Sequence, residues 1–213
     1  MKTDELISLL ASGEEAVDTR TPRRAGALAL LAGLAVSLAV MAVALGVRSN
    51  LAEEAHWPQF WTREAFCAAL AGIGLVCVRR LSVPGARLGL APLALAVPVA
   101  AMWLLAGAAL VEAEPAQRIA LVLGQTARVC ALLIAVVAAP VFVAVIWALR
   151  CFAPTRLRLA GAAAGLAAGG AGALVYSLHC PELAPPFLAV WYVLGMLIPV
   201  AVGALLGPRL LRW

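Results

Sequence analysis

One run of the sequence combines three side chains that could bind a metal ion or change redox state. It is His179-Cys180-Pro181-Glu182, which places an imidazole, a thiol and a carboxylate side by side. Thiolate and imidazole together suit soft metals such as zinc or copper(I), and a pair of thiols can instead be oxidised reversibly to a disulfide. The chain has four further cysteines, which are Cys67, Cys77, Cys130 and Cys151. No two cysteines have the CxxC spacing of thiol oxidoreductases, so the sequence shows no sign of an enzyme of that kind.

The elements that must position these thiols are hydrophobic helices. The chain has 213 residues, 64% of them hydrophobic, and its mean hydropathy is +1.00. About 20 consecutive apolar residues are needed to cross a bilayer as a helix. Six blocks meet this requirement, at about 24–47, 62–79, 90–111, 129–149, 157–178 and 187–207, and the second is the shortest. We therefore predict an all-α, polytopic membrane bundle: a tail over residues 1–23 and a six-helix transmembrane domain over 24–213.

The arginines predict how this bundle is oriented. With the N-terminus in the cytoplasm, six spans place 12 of the 16 Lys and Arg residues inside, which follows the positive-inside rule. Six of the 11 acidic residues then lie outside and five lie in the N-terminal tail. Both termini are expected to be cytoplasmic. The net charge of +5 is explained by topology, so we predict no direct contact with nucleic acid.

This topology sorts the cysteines by membrane face. Cys130 begins the fourth span at its outer end, and Cys180 lies in the outer loop between spans five and six, so the two could meet at one depth. We interpret them as functional, together with His179. Cys67, Cys77 and Cys151 are expected to be small buried apolar residues, because free cysteine is among the most buried residue types. Trp191 and Tyr192 are typical of residues that anchor a span at the membrane interface.

The tail contains one short segment that could bind a protein. Leu6, Ile7, Leu9 and Leu10 recur at helical spacing beside Asp4, which could cap a helix that Gly13 would end. Two interpretations stay open: a frayed or membrane-surface helix, and a helix that folds against a cytoplasmic partner. Its acids disfavour an anionic membrane surface.

Several functional classes are disfavoured by what the spans contain. No Asp, Glu, Lys, Arg or His is expected at mid-membrane depth, where pumps and proton-coupled transporters usually carry such groups. The sequence shows no phosphate-binding loop, nucleophile–base pair or paired catalytic acids. We expect no enzyme and no resident cofactor. Span five is rich in glycine and alanine at spacings of four, which predicts a position in the middle of the bundle.

Taken together, these segments resemble the NrsF family, the negative regulators of sigma F. The resemblance rests on Lys2 to Ile7, the turn Arg79 to Gly85, Cys130, the run Leu178 to Glu182 followed by Trp191-Tyr192, and the ending Leu206 to Trp213. It implies a membrane-bound anti-sigma factor of the bacterial inner membrane. Such a protein would hold an extracytoplasmic-function sigma factor and release it under heavy-metal or oxidative stress.

Carried onto this chain, the resemblance implies a role for each candidate residue. Cys130 and Cys180 would be the sensor pair, with His179 beside them and a heavy-metal ion bound transiently at this site. Cys67 lies outside the family pattern and leaves open whether the switch uses two thiols or three. The segment 3–20, with Asp4 and its four apolar residues, would bind the sigma factor. The alternative function is a small metal-ion transporter or transporter subunit, which the lack of intramembrane ionisable groups disfavours.

Overall fold

The structure, a computed structural model, describes residues 3–12 and 20–212. These residues form helices joined by short loops, with no β-strand among them. In chain order the helices are α1 (Thr3–Ser12), α2 (Arg20–Ala44), α3 (Leu51–Glu54), α4 (Pro58–Leu81), α5 (Ala91–Glu112), α6 (Pro115–Leu123), α7 (Ala127–Arg150), α8 (Leu157–Ser177), α9 (Pro185–Phe187) and α10 (Val193–Leu210). One π-helical turn, Leu188–Tyr192, joins α9 to α10. The predicted all-α class is confirmed.

The apolar helices are those of a membrane protein. Five helical stretches of the described chain are long and apolar enough to cross a bilayer, namely Arg24–Ala44, Leu93–Glu112, Pro115–Arg150, Leu157–Ser177 and Pro185–Leu210. The third stretch contains both α6 and α7. The second predicted block corresponds to α4, whose 24 residues extend about 36 Å. Helix α4 is not among these five stretches, so the count of six spans and the location of the termini stay predictions.

Helix α8 occupies the centre of the bundle, as its glycine pattern predicts. It packs against α4, α7 and α10, and most of its residues are buried. Gly161 of α8 faces Gly203 of α10, and Gly165 faces the backbone of Pro199. On the other side, Gly170 faces the backbone of Ala71 in α4. Because none of these glycines has a side chain, the three helices approach to backbone contact.

The close approach at Gly161 gives a stability prediction. A Cβ atom added there would overlap the backbone carbonyl of Gly203, which cannot move without moving α10. We expect Gly161→Ala to destabilise the bundle by about 1–3 kcal/mol, which is usual for overpacking. The apparent Tm in detergent measures the change. Gly107→Ala in α5 is the matched control, because a Cβ there meets nothing within 4 Å, and an equal drop in both variants would contradict the packing argument.

The antiparallel helices give the bundle two chemically different ends. Helices α4 and α7 begin, and α8 ends, at the end that holds Cys67, Cys130 and Cys180, which we call the thiol end. The opposite end carries exposed arginines and no Asp or Glu from residues 20–212. We call it the arginine-rich end, and its exposed arginines include Arg79, Arg80, Arg87, Arg150, Arg156 and Arg209.

Candidate functional site: a buried thiol cluster

Three cysteines from three parts of the chain lie in one buried cluster. Cys67 comes from α4, Cys130 from the first turn of α7, and Cys180 from the loop that follows α8. All three are fully buried, and each is a free thiol. Cys130 and Cys180 belong to the same cluster of buried side chains, and the Cys130 thiol is close enough to that of Cys180 to affect its pKa. The structure therefore brings together the two cysteines that the sequence singles out, and adds a third.

A buried arginine holds the loop that carries Cys180. Arg63, in the second turn of α4, is fully buried. Its Nη1 atom donates to the backbone carbonyls of Cys180 and Glu182, at 3.1 and 3.2 Å. Its Nε atom pairs with Glu64 at 3.1 Å, and its guanidinium carbon lies 5.2 Å from the centre of the Phe60 ring. Arg63 thus joins the start of α4 to a loop more than 100 residues further along the chain.

The same loop is also fixed to the start of α7. The Glu182 carboxylate accepts a 2.6 Å hydrogen bond from the backbone N–H of Gln125, and Thr126 Oγ1 lies 3.9 Å from Cys180 Sγ. Gly124, at φ +52°, allows this approach, since a Cβ there would lie 2.6 Å from Glu182 Oε1. Cys130 and Cys180 therefore lie on two segments that other residues also hold together.

The surroundings of the cluster favour a reactive thiol at Cys180. The adjacent Cys130 thiol lowers the pKa of Cys180 below its usual value, and this effect outweighs the opposing effect of burial. A second arginine, Arg48, lies nearby and is paired with Glu54. Burial, and then the charge of Arg63, lower the pKa of Arg48. A thiolate is the form that attacks oxidants and binds soft metals. The environment of Cys180 therefore makes it the better nucleophile of the two.

His179 lies next to the cluster but has another partner. It is half-buried, and its Nδ1 atom is 3.0 Å from the carbonyl oxygen of Gly46. Among the described residues, no three His, Cys, Asp or Glu side chains are arranged to hold a metal ion. The thiols of Cys130 and Cys180 lie in one cluster and could bind a soft metal ion together. A third protein ligand would require side chains to rearrange. Metal binding by Cys130, Cys180 and His179 stays a prediction.

The structure corrects two sequence-based interpretations, those of Tyr192 and Cys151. Tyr192 is not an interfacial anchor, because it is fully buried in the thiol cluster, with its ring 6.2 Å from that of Tyr176. Trp191 is half-buried and donates to the carbonyl of Val122 at 2.9 Å. Cys151 is not buried but exposed after the end of α7. Cys67 is buried as expected, yet it belongs to the cluster of the sensor pair.

Arg63 and Cys67 are the site residues that sequence reasoning missed. They are four residues apart, and Leu70 and Gly74 continue the same buried face of α4. A single arginine on the face of an apolar helix needs a polar partner inside the protein. Arg63, one turn before Cys67, was therefore a signal in the sequence that this face of α4 meets polar groups.

Replacing Arg63 should open this site. We expect Arg63→Met to lower the free energy of unfolding by roughly 3 kcal/mol, since two hydrogen bonds from a charged group to buried carbonyls are lost. With Cys180 as the only thiol, maleimide labelling should also become faster because the loop is released. Arg118→Met is the control, as Arg118 is exposed in α6 and donates only to Ala113 among described residues. Unchanged labelling of Cys180 in Arg63→Met would contradict the holding role.

The predicted partner-binding helix is present in the structure. α1 spans Thr3–Ser12, with Asp4 and Glu5 in its first turn, and the Ser8 hydroxyl donates to the Asp4 carbonyl at 2.7 Å. Ile7 is 58% exposed. Residues 13–19, and the side chains of Leu6, Leu9 and Leu10, lie outside the described part of the chain. Acids in the first turn stabilise a helix through its dipole, which accounts for helix formation in so short a segment.

The fold and the site together define a helical membrane protein with a buried thiol cluster at one end. The family profile named "NrsF: Negative regulator of sigma F" matches residues 10–213 of the chain. The chain belongs to this family and is an anti-sigma factor, whose partner is a sigma factor.

Two relatives match along their whole length. The chain is 48% identical over 213 residues to the "Probable anti-sigma-F factor NrsF" of Azospira oryzae, with all of both chains covered. It is 38% identical over 216 residues to the "Anti-sigma-F factor NrsF" of Caulobacter vibrioides, again with complete coverage of both chains. These relatives are regulators, which fits the expectation that the chain is not an enzyme. No solved structure matches.

Proposed function

We propose that this chain is a six-span protein of the bacterial inner membrane that holds an extracytoplasmic-function sigma factor inactive. Both termini are cytoplasmic, and the sigma factor binds the N-terminal tail through α1. Oxidation, or binding of a heavy-metal ion, at Cys130 and Cys180 on the opposite face releases it. The observation that carries the proposal is that Cys130 and Cys180, which are 50 residues apart in the chain, lie together in one buried cluster.

A bridge between these thiols would change helix packing. A disulfide has an S–S length of about 2.05 Å, which is shorter than any contact between free thiols. The first turn of α7 and the loop after α8 would therefore be drawn together. Because α8 contacts its neighbours at the backbone, it cannot absorb the shift by side-chain rearrangement alone. Closely packed helices respond to such a shift as rigid bodies.

The chemistry of the bridge balances with a peroxide as oxidant. The Cys180 thiolate attacks one peroxide oxygen, which gives a sulfenic acid at Cys180 and a water molecule after protonation. The Cys130 thiol then attacks the Cys180 sulfur, the S–S bond forms, and the second oxygen leaves as water. The peroxide gains the two electrons that the two thiols lose.

The tail supplies the opposite end of the switch. The apolar positions of α1 suit an amphipathic helix that binds in a groove of a protein partner. A bridge at the thiol end can release the sigma factor only if the partner binds the reduced state of the bundle more tightly than the bridged state.

Recruitment to membranes tests this function directly. Membranes that contain the full-length chain are mixed with a sigma factor encoded beside it, and the bound fraction is measured by sedimentation. We expect binding under reducing conditions, and loss of most of the bound sigma factor after treatment with peroxide or cadmium. Mass spectrometry should show a Cys130–Cys180 disulfide in the peroxide-treated sample. Failure to bind in reduced membranes would contradict sequestration, and release without any modification of these thiols would contradict the sensor.

A further inference from the structure

An apolar cavity of about 400 Å³ lies between α4, α5, α8 and α10. Each helix contributes a stripe of residues to its wall, represented by Cys77 of α4, Leu95 of α5, Ala162 of α8 and Val200 of α10. Every lining side chain is aliphatic or contains sulfur, so the cavity offers a water molecule no hydrogen-bonding side chain. A cavity of this kind does not hold ordered water.

The cavity arises from the way α5 joins the bundle. At the thiol end, Met102 and Ala106 of α5 are buried, with exposed fractions of 2% and 4%. Towards the arginine-rich end, Leu95 and Val99 are only partly buried and line the cavity. The facing residues of α8 include Ala162 and Ala163, which are too small to fill the gap. One half of α5 is thus buried against the bundle, and the other half borders the cavity.

The cavity has the depth of one membrane leaflet. On α4 it extends from Leu70 to Leu81, which corresponds to about 16 Å along a helix. The hydrocarbon core of a bilayer is about 30 Å thick, so one leaflet is about half of that. An acyl chain that entered from the arginine-rich end would therefore be covered over most of its leaflet.

The mouth of the cavity is positively charged. Leu81 and Leu88 line the cavity at this end, and Arg80 Nη1 donates to the carbonyl of Leu88 at 2.5 Å. Arg87, which precedes Leu88 in the chain, is exposed. No Asp or Glu of residues 20–212 lies at this end of the bundle. A guanidinium group binds phosphate through several N–H donors at once.

We propose that this cavity is a binding site for one anionic phospholipid. An acyl chain fills the apolar cavity, and the phosphate lies at the mouth against Arg80, with Arg87 adding to the positive potential. Basic pockets between helices are known sites for anionic head groups. The site holds α5 in place and is independent of sigma-factor binding and of the thiol cluster.

Native mass spectrometry of the full-length protein tests this site. The protein is equilibrated with equimolar phosphatidylglycerol and phosphatidylethanolamine, and the lipid retained by the protein is counted. We expect one retained lipid, with phosphatidylglycerol in excess by about fivefold or more, which corresponds to one favourable arginine contact near the surface. Arg80→Gln should remove most of that excess. Arg156→Gln should leave it intact, because Arg156 is exposed at the same end and, among the described residues, its side chain has no hydrogen bond to a residue that lines the cavity.

Filling the cavity tests the acyl-chain half of the proposal. Ala162→Phe should abolish retention of both lipids. If the phenylalanine side chain prevents folding, Ala162→Leu is the substitute, and it should weaken retention. Equal retention of the two lipids by the unaltered protein would identify ordinary surrounding lipid and overturn the proposal. Undiminished retention in a folded Ala162 variant, or the same loss in Arg80→Gln and Arg156→Gln, would also overturn it.

Discussion

Replacing Cys130 and Cys180 together with serine should make the protein an anti-sigma factor that no longer responds to stress. Serine has nearly the size of cysteine, but it cannot form a disulfide and binds soft metals weakly. Both positions are buried in the cluster at 0% exposure, so the substitution keeps the packing and removes the chemistry. Sequestration should persist, while the rise in sigma-dependent transcription on peroxide or cadmium treatment should fall by at least about tenfold, or ~1.4 kcal/mol.

The other three cysteines supply the controls for this result. Cys151→Ser changes an exposed thiol at the arginine-rich end, and Cys77→Ser changes a thiol in the wall of the apolar cavity. Both should respond to stress like the unaltered protein. Cys67→Ser distinguishes a two-thiol switch from a three-thiol switch, because Cys67 lies in the same cluster. Normal induction in the double serine variant would show that the signal is sensed elsewhere.

Placing a charge on the apolar face of α1 should release the sigma factor permanently. Ile7 is 58% exposed, so Ile7→Asp does not disturb the bundle. An aspartate in an apolar interface is desolvated without a partner, which costs about 2–3 kcal/mol and weakens binding roughly 100-fold. Sigma-dependent transcription should then be high without stress. The measurement is a promoter reporter, combined with the fraction of sigma factor that sediments with membranes.

Ser8→Asp is the matched control for the tail. In a helix of 3.6 residues per turn, Ser8 lies on the face opposite the predicted apolar positions. The same charge is introduced into the same helix, and the structure places Ser8, like Ile7, on the exposed surface. If Ile7→Asp sequesters the sigma factor as well as Ser8→Asp does, the sigma-binding surface lies outside α1.

Much of the fold could be predicted from sequence because helix formation in a membrane is a local property. The predicted blocks at 129–149 and 157–178 correspond to α7 (Ala127–Arg150) and α8 (Leu157–Ser177) within two residues at each end. A long apolar segment must satisfy its own backbone hydrogen bonds, and a helix does so without help from distant residues. Helix α6 was not predicted, because its nine residues are too few to span a bilayer.

The sequence by itself determined the helical class, the central position of the glycine-rich α8, and the two cysteines that meet. Only the tertiary structure decided which other residues join them. In a soluble helix the apolar face identifies the buried side, but a membrane helix is apolar on both its lipid-facing and its protein-facing sides. Composition alone therefore could not show that Cys67 and Tyr192 face the cluster, or that Arg63 turns inward to bond Cys180. Those positions depend on how α4, α7 and the loop after α8 pack together, since the contacts join residues 117 positions apart.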